Sequence, residues 1–269
     1  MEDIRRSLSL IEKIYDTPTE IVSENRPMFL QILDDVREQI AKGELTEHAA
    51  LPSERSLAEK YGISRMTARR ALEALEYEGL AYSEDRRGRF VSPRRLRYNV
   101  SEMVSFVADA QSKGSNLEIV VIKMGTTKAD ERLARLLEQE IGTQVHEYTR
   151  LFLLDGHAIF IETECVIADR FPDFLDNDLR QSTTRLLEED YSTCSSTGDI
   201  IIRMHSTSND EAALLNIKAS HAAIELEQVI RDQNGTPFCF GRQVWRGELA
   251  EFSARAIVTR WGGEMNNDR

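Results

Sequence analysis

The chain has 269 residues, enough for one large or two ordinary domains, and its 41% hydrophobic content can build real cores. No stretch approaches the roughly 18 apolar residues of a membrane-spanning helix, and the N-terminus lacks the features of a signal peptide, so we expect no membrane partner. Three scattered cysteines, Cys165, Cys194 and Cys239, indicate reduced thiols and a cytoplasmic location rather than a disulfide scaffold.

The net charge of −12 is unevenly distributed along the chain. Residues 26–98 carry 14 Lys and Arg against 12 Asp and Glu, whereas the rest of the chain carries 20 against 34. Such an asymmetry is typical of a chain in which one segment meets nucleic acid.

Residues 1–25 are predicted to be an N-terminal extension, either a partly ordered arm or a helix that packs on a partner subunit. Three helices and a hairpin should follow, which together indicate a winged helix-turn-helix domain over residues 26–92. We predict the helices at 27–42, from Ser53 to just before Gly62, and from Ser64 to Glu78, and a hairpin that turns at Gly88. Residues 93–99 have the composition of a linker.

Residues 100–261 have the pattern of an α+β domain with a mostly antiparallel sheet, followed by a tail at 262–269. The sequence "VHEYTRLFLLDGHAIFIETECVI" predicts two long strands joined by a turn at Asp155 and Gly156. Other strands are predicted at 117–124 and 198–206, with two or three more after residue 221. Helices are predicted at 128–142, at 179–191 and in "SNDEAALLNI".

The third helix has the chemistry of a DNA recognition helix, whose first residues contact base edges in the major groove. Its first turns carry the polar residues Ser64, Arg65, Thr67, Arg69 and Arg70. Arg65 and Arg69 are four residues apart and share a flank, where arginine matches the acceptors of guanine. Arg70 points to the far side and is a candidate for a phosphate contact.

Two further elements complete the predicted DNA-binding surface. Ser53, Glu54 and Arg55 begin the second helix, where free N–H groups can hold a backbone phosphate. The hairpin tip carries arginines, including Arg87, beside Gly88, which suits close approach to a narrow minor groove. The alternative is a solvated arginine face with no partner.

The stretch "LPSERSLAEKYGISRMTARRALEALEYEGL" followed by "RRGRFV" resembles the winged-helix signature of the GntR family of bacterial transcription regulators. The resemblance implies homodimers that bind near-palindromic operator DNA, most often as repressors released by a small metabolite. The residues that correspond to DNA-contacting positions are Arg55, Ser64, Arg65, Thr67, Arg69 and Gly88. Met66 stands where related proteins often carry a polar residue, and it can contact a thymine methyl group.

Residues 100–261 resemble the effector-binding UTRA domain of the HutC subfamily, which has a chorismate-lyase-like fold. The supporting stretches are "SFVADAQSKG", "TRLFLLDGHAIFIETECV" and "QNGTPFCFGRQVWRGELAEF". The resemblance places the ligand site at Ser105, Phe106, Arg150, Glu162 and Ser182 or Thr183. Phe152 stands where a second arginine is frequent, Cys239 at an acidic position and Trp245 at a tyrosine position. Arg185 is an additional basic candidate.

These residues predict a small anionic effector, namely a carboxylate, a phosphate or a phosphonate held by Arg150, by hydroxyl groups and by helix N–H groups. Phe152 and Trp245 favour a smaller or more apolar metabolite than a sugar. A structural ion pair between Arg150 and Glu162 is the alternative role of the arginine. No cofactor or metal is expected, because the histidines and cysteines show no metal-ligand spacing.

An enzyme is the competing class, because the chorismate-lyase-like fold is also used in catalysis. The sequence has no nucleophile elbow, no P-loop and no HExxH motif. Cys239 has no evident base to activate it and suits a packing role. We therefore predict a regulator without catalytic residues.

Overall fold

The computed structural model of the chain describes residues 26–93, 95–101, 106–107 and 116–255. The predicted N-terminal extension and C-terminal tail lie outside the described residues, and so does Ser105.

The first part of the described chain contains three helices and a hairpin in the predicted order. The helices are α1 (Met28–Ala41), α2 (Glu54–Tyr61) and α3 (Arg65–Tyr77), and the hairpin strands are β1 (Ala81–Glu84) and β2 (Gly88–Val91). Apolar residues at helical spacing bury one face of each helix in a common core, formed by Ile32, Leu33, Val36, Leu57, Ala68, Ala71, Leu72 and Leu75 among others.

The helix boundaries follow from local chemistry. Ser53 caps α2 by accepting a hydrogen bond from the backbone N–H of Ser56, and Ser64 caps α3 in the same way through Thr67. Gly62 ends α2 in the left-handed conformation with φ of 64°. These caps fix the turn between α2 and α3, and therefore the angle at which α3 leaves the core.

The predicted linker contains a strand. Residues Leu96–Asn99 form β3, which pairs in parallel with β10 (Ala250–Ser253). The pairing joins segments about 150 residues apart in sequence, so no local pattern indicates it. It ties the segment between the two halves to the second half.

The second part is built on one six-stranded antiparallel sheet in the order β4-β5-β6-β9-β8-β7. Its strands are β4 (Leu117–Lys128), β5 (Gln144–Leu154), β6 (His157–Ile167), β7 (Ser195–Ser206), β8 (Ala222–Asp232) and β9 (Pro237–Arg246). The β5–β6 turn lies at Asp155 and Gly156 as predicted, and both residues have positive φ.

Within the described residues, three short α-helices accompany the sheet. They are α4 (Glu131–Leu136), α5 (Thr183–Tyr191) and α6 (Asn209–Leu215). Two are shorter than predicted, because α4 ends at Leu136 rather than near residue 142 and α5 begins at Thr183 rather than at 179. Ser208 and Glu211 form a capping box at the start of α6. No helix within the described ranges has the length and apolar character needed to cross a membrane.

The β1–β2 hairpin packs directly on the second part of the chain. Tyr82 and Phe90 of the hairpin belong to the same apolar cluster as Phe160, Trp245 and Leu249. The fully buried Arg246 reaches from the end of β9 to the carbonyl of Ser83, and its guanidinium lies over the Tyr82 ring, 4.8 Å from its centroid. The hairpin is therefore anchored by both apolar and polar contacts.

Candidate nucleic-acid interface and ligand cavity

The structure brings six of the predicted DNA-binding residues around one surface concavity of about 410 Å³ between α2, α3 and the hairpin. These are Ser53, Glu54, Arg55, Arg65, Arg87 and Gly88. The concavity joins the N-terminus of α2, the first turn of α3 and the start of β2. Three segments that are separate in sequence thus present one continuous, arginine-rich face.

Most arginines of this face are paired with carboxylates of the same face. Arg55 contacts Glu59 at 3.1 Å and is 72% exposed, and Arg87 contacts Glu84 at 2.5 Å. The exposed Arg55–Glu59 pair contributes about 0–1 kcal/mol, so a phosphate can replace its carboxylate at little cost, whereas the carboxylate that pairs with Arg87 is buried. Arg65 has no charged partner within the described residues, so no ion pair holds its guanidinium.

Glu54 and Arg89 have a bracing role. Arg89 is only 16% exposed and contacts Glu54 at 3.1 Å and Glu76 at 3.0 Å. It therefore ties the hairpin to α2 and α3 at once. Glu54 is engaged in this contact, so we assign it to the support of the face rather than to DNA.

The structure separates the other predicted residues of α3. Met66 is 69% exposed at the first turn, and Thr67 bonds the Ser64 hydroxyl at 2.8 Å. Arg69 pairs with Glu73 at 2.8 Å and borders the groove toward the second part of the chain. Arg70 lies over the Phe29 ring, 4.2 Å from its centroid. Arg65 and Arg69 therefore border different concavities.

Gly88 has φ of 112°, a conformation that L side chains rarely adopt, and a Cβ at this position would meet nothing within 4 Å. Its role is therefore backbone geometry at an open surface. Arg86 beside it also has positive φ and is 92% exposed. Arg86 and Gly88 of the anchored hairpin therefore face open surface.

A second candidate site is an internal cavity of about 50 Å³ in the six-stranded sheet. Its polar lining comes from strands β5, β6, β8 and β9 and the start of α5, and includes Arg150, Glu162, Glu164, Thr183, Thr184, Gln228 and Gln243. Its apolar lining includes Tyr98, Phe106, Phe152 and Phe160. A water needs about 10–15 Å³ measured in this way, so the cavity has room for a small polar group.

Arg150 lies at the centre of the polar lining and is only 3% exposed. Its guanidinium donates to Glu162, to Glu164 at 3.1 Å, to the Thr183 hydroxyl at 3.2 Å, and to the carbonyls of Leu179 and Gln181 at 3.0 Å each. Burial lowers the pKa of Arg150, but the charges of Glu162 and Glu164 outweigh it and raise that pKa. Both predicted roles converge here, because the ion pair with Glu162 exists at the proposed ligand site.

Glu164 is a buried carboxylate of the cavity that accepts several hydrogen bonds. Its Oε2 atom accepts from Tyr148 at 2.5 Å and from Thr183 at 3.1 Å, as well as from Arg150. Burial, followed by the charge of Glu162, raises the pKa of Glu164 despite these bonds. Burial and the charge of Glu164 in turn raise the pKa of the Cys239 thiol well above its usual value.

Aromatic rings form the opposite wall. Phe160 stacks between Phe152 and Trp245, with centroid distances of 4.1 Å and 3.9 Å. Phe106 meets both Phe160 and Trp245 edge to face. Tyr98 of β3 packs against Trp245 at 5.8 Å, and its hydroxyl pKa is raised to about 12 by burial and by Glu162.

The remaining predicted ligand residues take supporting places. Trp245 lies behind Phe160 and donates to Gln243 at 2.8 Å. The Cys239 thiol contacts the Oε1 atom of Glu164 at 3.8 Å. Ser182 caps α5 by accepting from the Arg185 N–H, while the Arg185 side chain is 73% exposed and pairs with Glu189 outside the cavity. The side chain of Arg185, which the sequence offers as an additional basic candidate, therefore does not line this cavity.

Sequence reasoning missed several residues that line the cavity, chiefly Tyr98, Phe160, Glu164 and Gln243. Glu164 had a signal, because residues two apart in a strand share a face and Glu162 was already a candidate. Tyr98 had none, because its position depends on the pairing of β3 with β10.

A metal or thiol centre has little support in the described residues. Within them, no group of three or more His, Cys, Asp and Glu side chains could hold a metal ion. All three cysteines are free, with Cys165 and Cys239 buried and Cys194 exposed. Burial raises the pKa of Cys165 to about 12 and so keeps its thiol protonated.

Comparison with known proteins matches both halves of the chain. Residues 29–91 match the bacterial regulatory proteins of the gntR family, and residues 112–251 match the UTRA domain. The HTH-type transcriptional repressor NagR of Bacillus subtilis is 30% identical over 226 residues, which cover 84% of this chain and 93% of NagR. The mannosyl-D-glycerate system repressor MngR of Escherichia coli is 28% identical over 61% of this chain and 69% of its own length.

Solved structures share the fold. The crystal structure of PhnF from Mycobacterium smegmatis matches with a TM-score of 0.61 and 24% identity, and covers 85% of this chain and 99% of PhnF. The PhnF effector domain alone matches with a TM-score of 0.57 and 23% identity, and covers 61% of this chain and all of that domain. The relatives and domains point to a DNA-binding transcriptional regulator rather than an enzyme.

Proposed function

Because this chain belongs to the GntR family of bacterial regulatory proteins and carries a UTRA domain, we propose that it is a repressor that binds a near-palindromic operator as a homodimer and leaves it when a small metabolite fills the cavity. Its general role in transcription regulation, as a helix-turn-helix protein, follows from its family. The observation that carries the proposal is the concavity that gathers Arg55, Arg65 and Arg87 around Gly88.

The proposed binding mode assigns different contacts to the three segments of this face. Arg65 and Met66, exposed at the first turn of α3, contact base edges in the major groove. Ser53 and Arg55 at the N-terminus of α2 hold a backbone phosphate. Arg87 and Gly88 at the hairpin tip approach the minor groove. Arg69 contacts DNA only if its bond to Glu73 opens, and Arg70 only if it leaves the Phe29 ring.

Both edges of the six-stranded sheet support the proposed homodimer. Edge strand β4 exposes Val120, Ile122 and Met124, and edge strand β7 exposes Ile201, Ile202 and Met204. A long edge strand with exposed apolar side chains is a site where a second strand can pair. A dimer also matches the two half-sites of a palindrome, about 34–36 Å apart.

The proposed release mechanism is a shift between two dimer arrangements, since an effector changes DNA affinity only by binding one state better than the other. Two physical links support this coupling. Tyr98 lies in β3, directly after residues 93–95, and also lines the cavity. Trp245 supports the aromatic wall, while the next residue, Arg246, holds the hairpin at Ser83 and Tyr82.

The sequence favours an anionic effector, and the geometry sets a condition on it. Each N–H group of Arg150 already has a protein acceptor, so an anion can reach this arginine only by displacing one of these acceptors. The backbone N–H groups at the start of α5, next to Thr183 and Thr184, are the alternative place for a carboxylate or phosphate.

The full-length chain tests the proposal directly. Duplexes selected from a random pool by the purified protein should converge on a near-palindrome, and footprinting should show two protected half-sites one helical turn or more apart. Light scattering should give the mass of a dimer for the free protein, and the mass of a dimer plus one duplex for the complex with the selected DNA. A pool that fails to converge, or a protein that remains monomeric on DNA, would contradict this proposal.

A further inference from the structure

The internal cavity contains more buried negative than positive charge. Among the described residues that line it, Arg150 is the one cation and faces two carboxylates, Glu162 and Glu164. The three side chains are 3%, 7% and 8% exposed, so water screens their charges weakly. A buried carboxylate without full compensation is costly, which makes a further positive charge favourable at this place.

The hydrogen bonds of the cavity also favour an additional donor group. The guanidinium of Arg150 already donates to two carboxylates, a hydroxyl and two carbonyls. Gln243 donates to Glu162 at 2.9 Å. The Oε1 atom of Glu164 has only the Cys239 thiol at 3.8 Å among the described residues, and a thiol is a weak donor. The Oε1 atom of Glu164 is therefore a buried acceptor without a strong donor among the described residues.

We propose that the effector carries an ammonium group, which lies against the carboxylates of Glu162 and Glu164. The inference rests on the proposed function, because it assigns the chemistry of the ligand in the same cavity. An ammonium group supplies up to three donors and the missing positive charge, and it fits the small free volume. An anionic group on the same molecule can lie at the start of α5, beside Thr184, so the complete effector would be a small zwitterion.

The effect of burial on the pKa of Glu164 supports this assignment. Burial and the charge of Glu162 raise the pKa of Glu164, whereas Arg150 and the hydrogen bonds from Tyr148 and Thr183 act in the opposite direction. A bound ammonium group would lower that pKa again. Binding of such a group should therefore release a fraction of a proton wherever Glu164 is partly protonated.

Matched probes measure the contribution of the ammonium group to binding. Phosphoethanolamine and ethyl phosphate share the phosphate and differ by one ammonium group, and ethanolamine and inorganic phosphate supply each charge alone. Titration calorimetry and thermal melting on the full-length protein should show that phosphoethanolamine binds at least about tenfold more tightly than ethyl phosphate, which is about one buried charge-assisted hydrogen bond. Equal binding of the two, tighter binding of ethyl phosphate, or no binding of either amine would overturn the proposal.

Variants test whether the ammonium group binds in the cavity. Glu164→Gln should remove the preference for phosphoethanolamine over ethyl phosphate. Glu227→Gln is the matched control, because Glu227 is a buried carboxylate that pairs with Arg132 and Arg203 and does not line the cavity. A preference that survives in Glu164→Gln would also overturn the proposal. If Glu164→Gln fails to fold, the wild-type probe comparison still decides.

Binding to selected DNA, measured on the same preparations, separates the two proposals. A protein that binds a selected duplex but shows no preference for the ammonium probe refutes the inference and leaves the regulator role intact. A protein that binds the ammonium probe but no DNA refutes the regulator role alone.

Discussion

The imidazole rings of His48 and His157 stack face to face, with centroids 4.0 Å apart and an interplanar angle of 4°. His48 precedes α2 and His157 begins β6, so the stack joins the helical part of the chain to the sheet. Tyr82 bonds His48 at 2.7 Å, and Glu84 bonds His157 at 2.9 Å. The contact between the two parts of the chain thus contains two titratable rings.

This contact should weaken in mild acid. Burial, followed by the charge of His157, lowers the pKa of His48 below 6.5, although Asp155, Glu47 and Glu84 act in the opposite direction. A lowered pKa means that the unfolded chain binds more protons than the folded chain just below pH 6.5. The stabilisation from neutral His48 is therefore complete above pH 6.5 and is lost as pH falls through the folded-state pKa.

The variant His48→Asn tests this pH dependence. His48 has φ of 61°, and asparagine tolerates this left-handed conformation. Between pH 7.5 and 5.5, the melting temperature of the wild type should fall more steeply than that of His48→Asn. Parallel slopes for the wild type and His48→Asn would contradict the assignment.

Replacement of Arg65 should weaken specific DNA binding. Arg65→Ala removes the arginine of the concavity that has no charged partner, and one good arginine–guanine pair is worth about 1–3 kcal/mol. We expect the affinity for a selected duplex to fall about 5- to 150-fold, with little change for random DNA, as measured by fluorescence anisotropy. Arg180→Ala, an exposed arginine of the second part, should bind like the wild type. An equal loss on selected and random duplexes would reassign Arg65 to a phosphate contact.

Removal of the buried guanidinium should strongly destabilise the fold. Arg150→Met leaves Glu162 and Glu164 buried without their cation, and breaking such a pair costs about 3–5 kcal/mol. Urea unfolding at pH 7 should show this loss. Arg185→Met removes an exposed arginine and should change the free energy of unfolding by less than about 0.5 kcal/mol. A loss below 1 kcal/mol in Arg150→Met would indicate that both glutamates are already neutral.

Tyr98 should couple the cavity to DNA binding. Tyr98→Ala removes the ring that lies between the aromatic wall and the segment leading to the hairpin. We expect DNA affinity without ligand to stay within about threefold of wild type, because no DNA contact is removed. The compound that raises the melting temperature most should no longer release the DNA. Arg97→Ala, next to Tyr98 but 73% exposed, should respond normally, and a normal response of Tyr98→Ala would contradict this role.

The order of elements and the proposed DNA-binding face could largely be predicted from the sequence, because their signals are local. Ser53 and Ser64 cap helices through residues three positions away, and Gly88 marks a turn inside a short hairpin. Arg65 and Met66 follow a cap directly, so their exposure at the first turn of α3 follows from helical geometry. The separation of Arg69 and Arg70 from Arg65 was less predictable, since their partners Glu73 and Phe29 lie on surfaces that packing determines.

The sequence by itself determined which residues begin the helices and the hairpin turn of the proposed DNA-binding face, and it offered Arg150 and Glu162 as candidates for one polar cluster. Only the tertiary structure decided how that cluster is balanced. The pairing of β5, β6 and β9 brings Glu164 and Gln243 to Arg150, and the pairing of β3 with β10 brings Tyr98 to the same cavity. Charge balance in a buried site depends on neighbours from distant parts of the chain, because weak screening gives each nearby charge a large electrostatic effect. An arginine that the sequence offers to an anion is therefore already occupied in the fold.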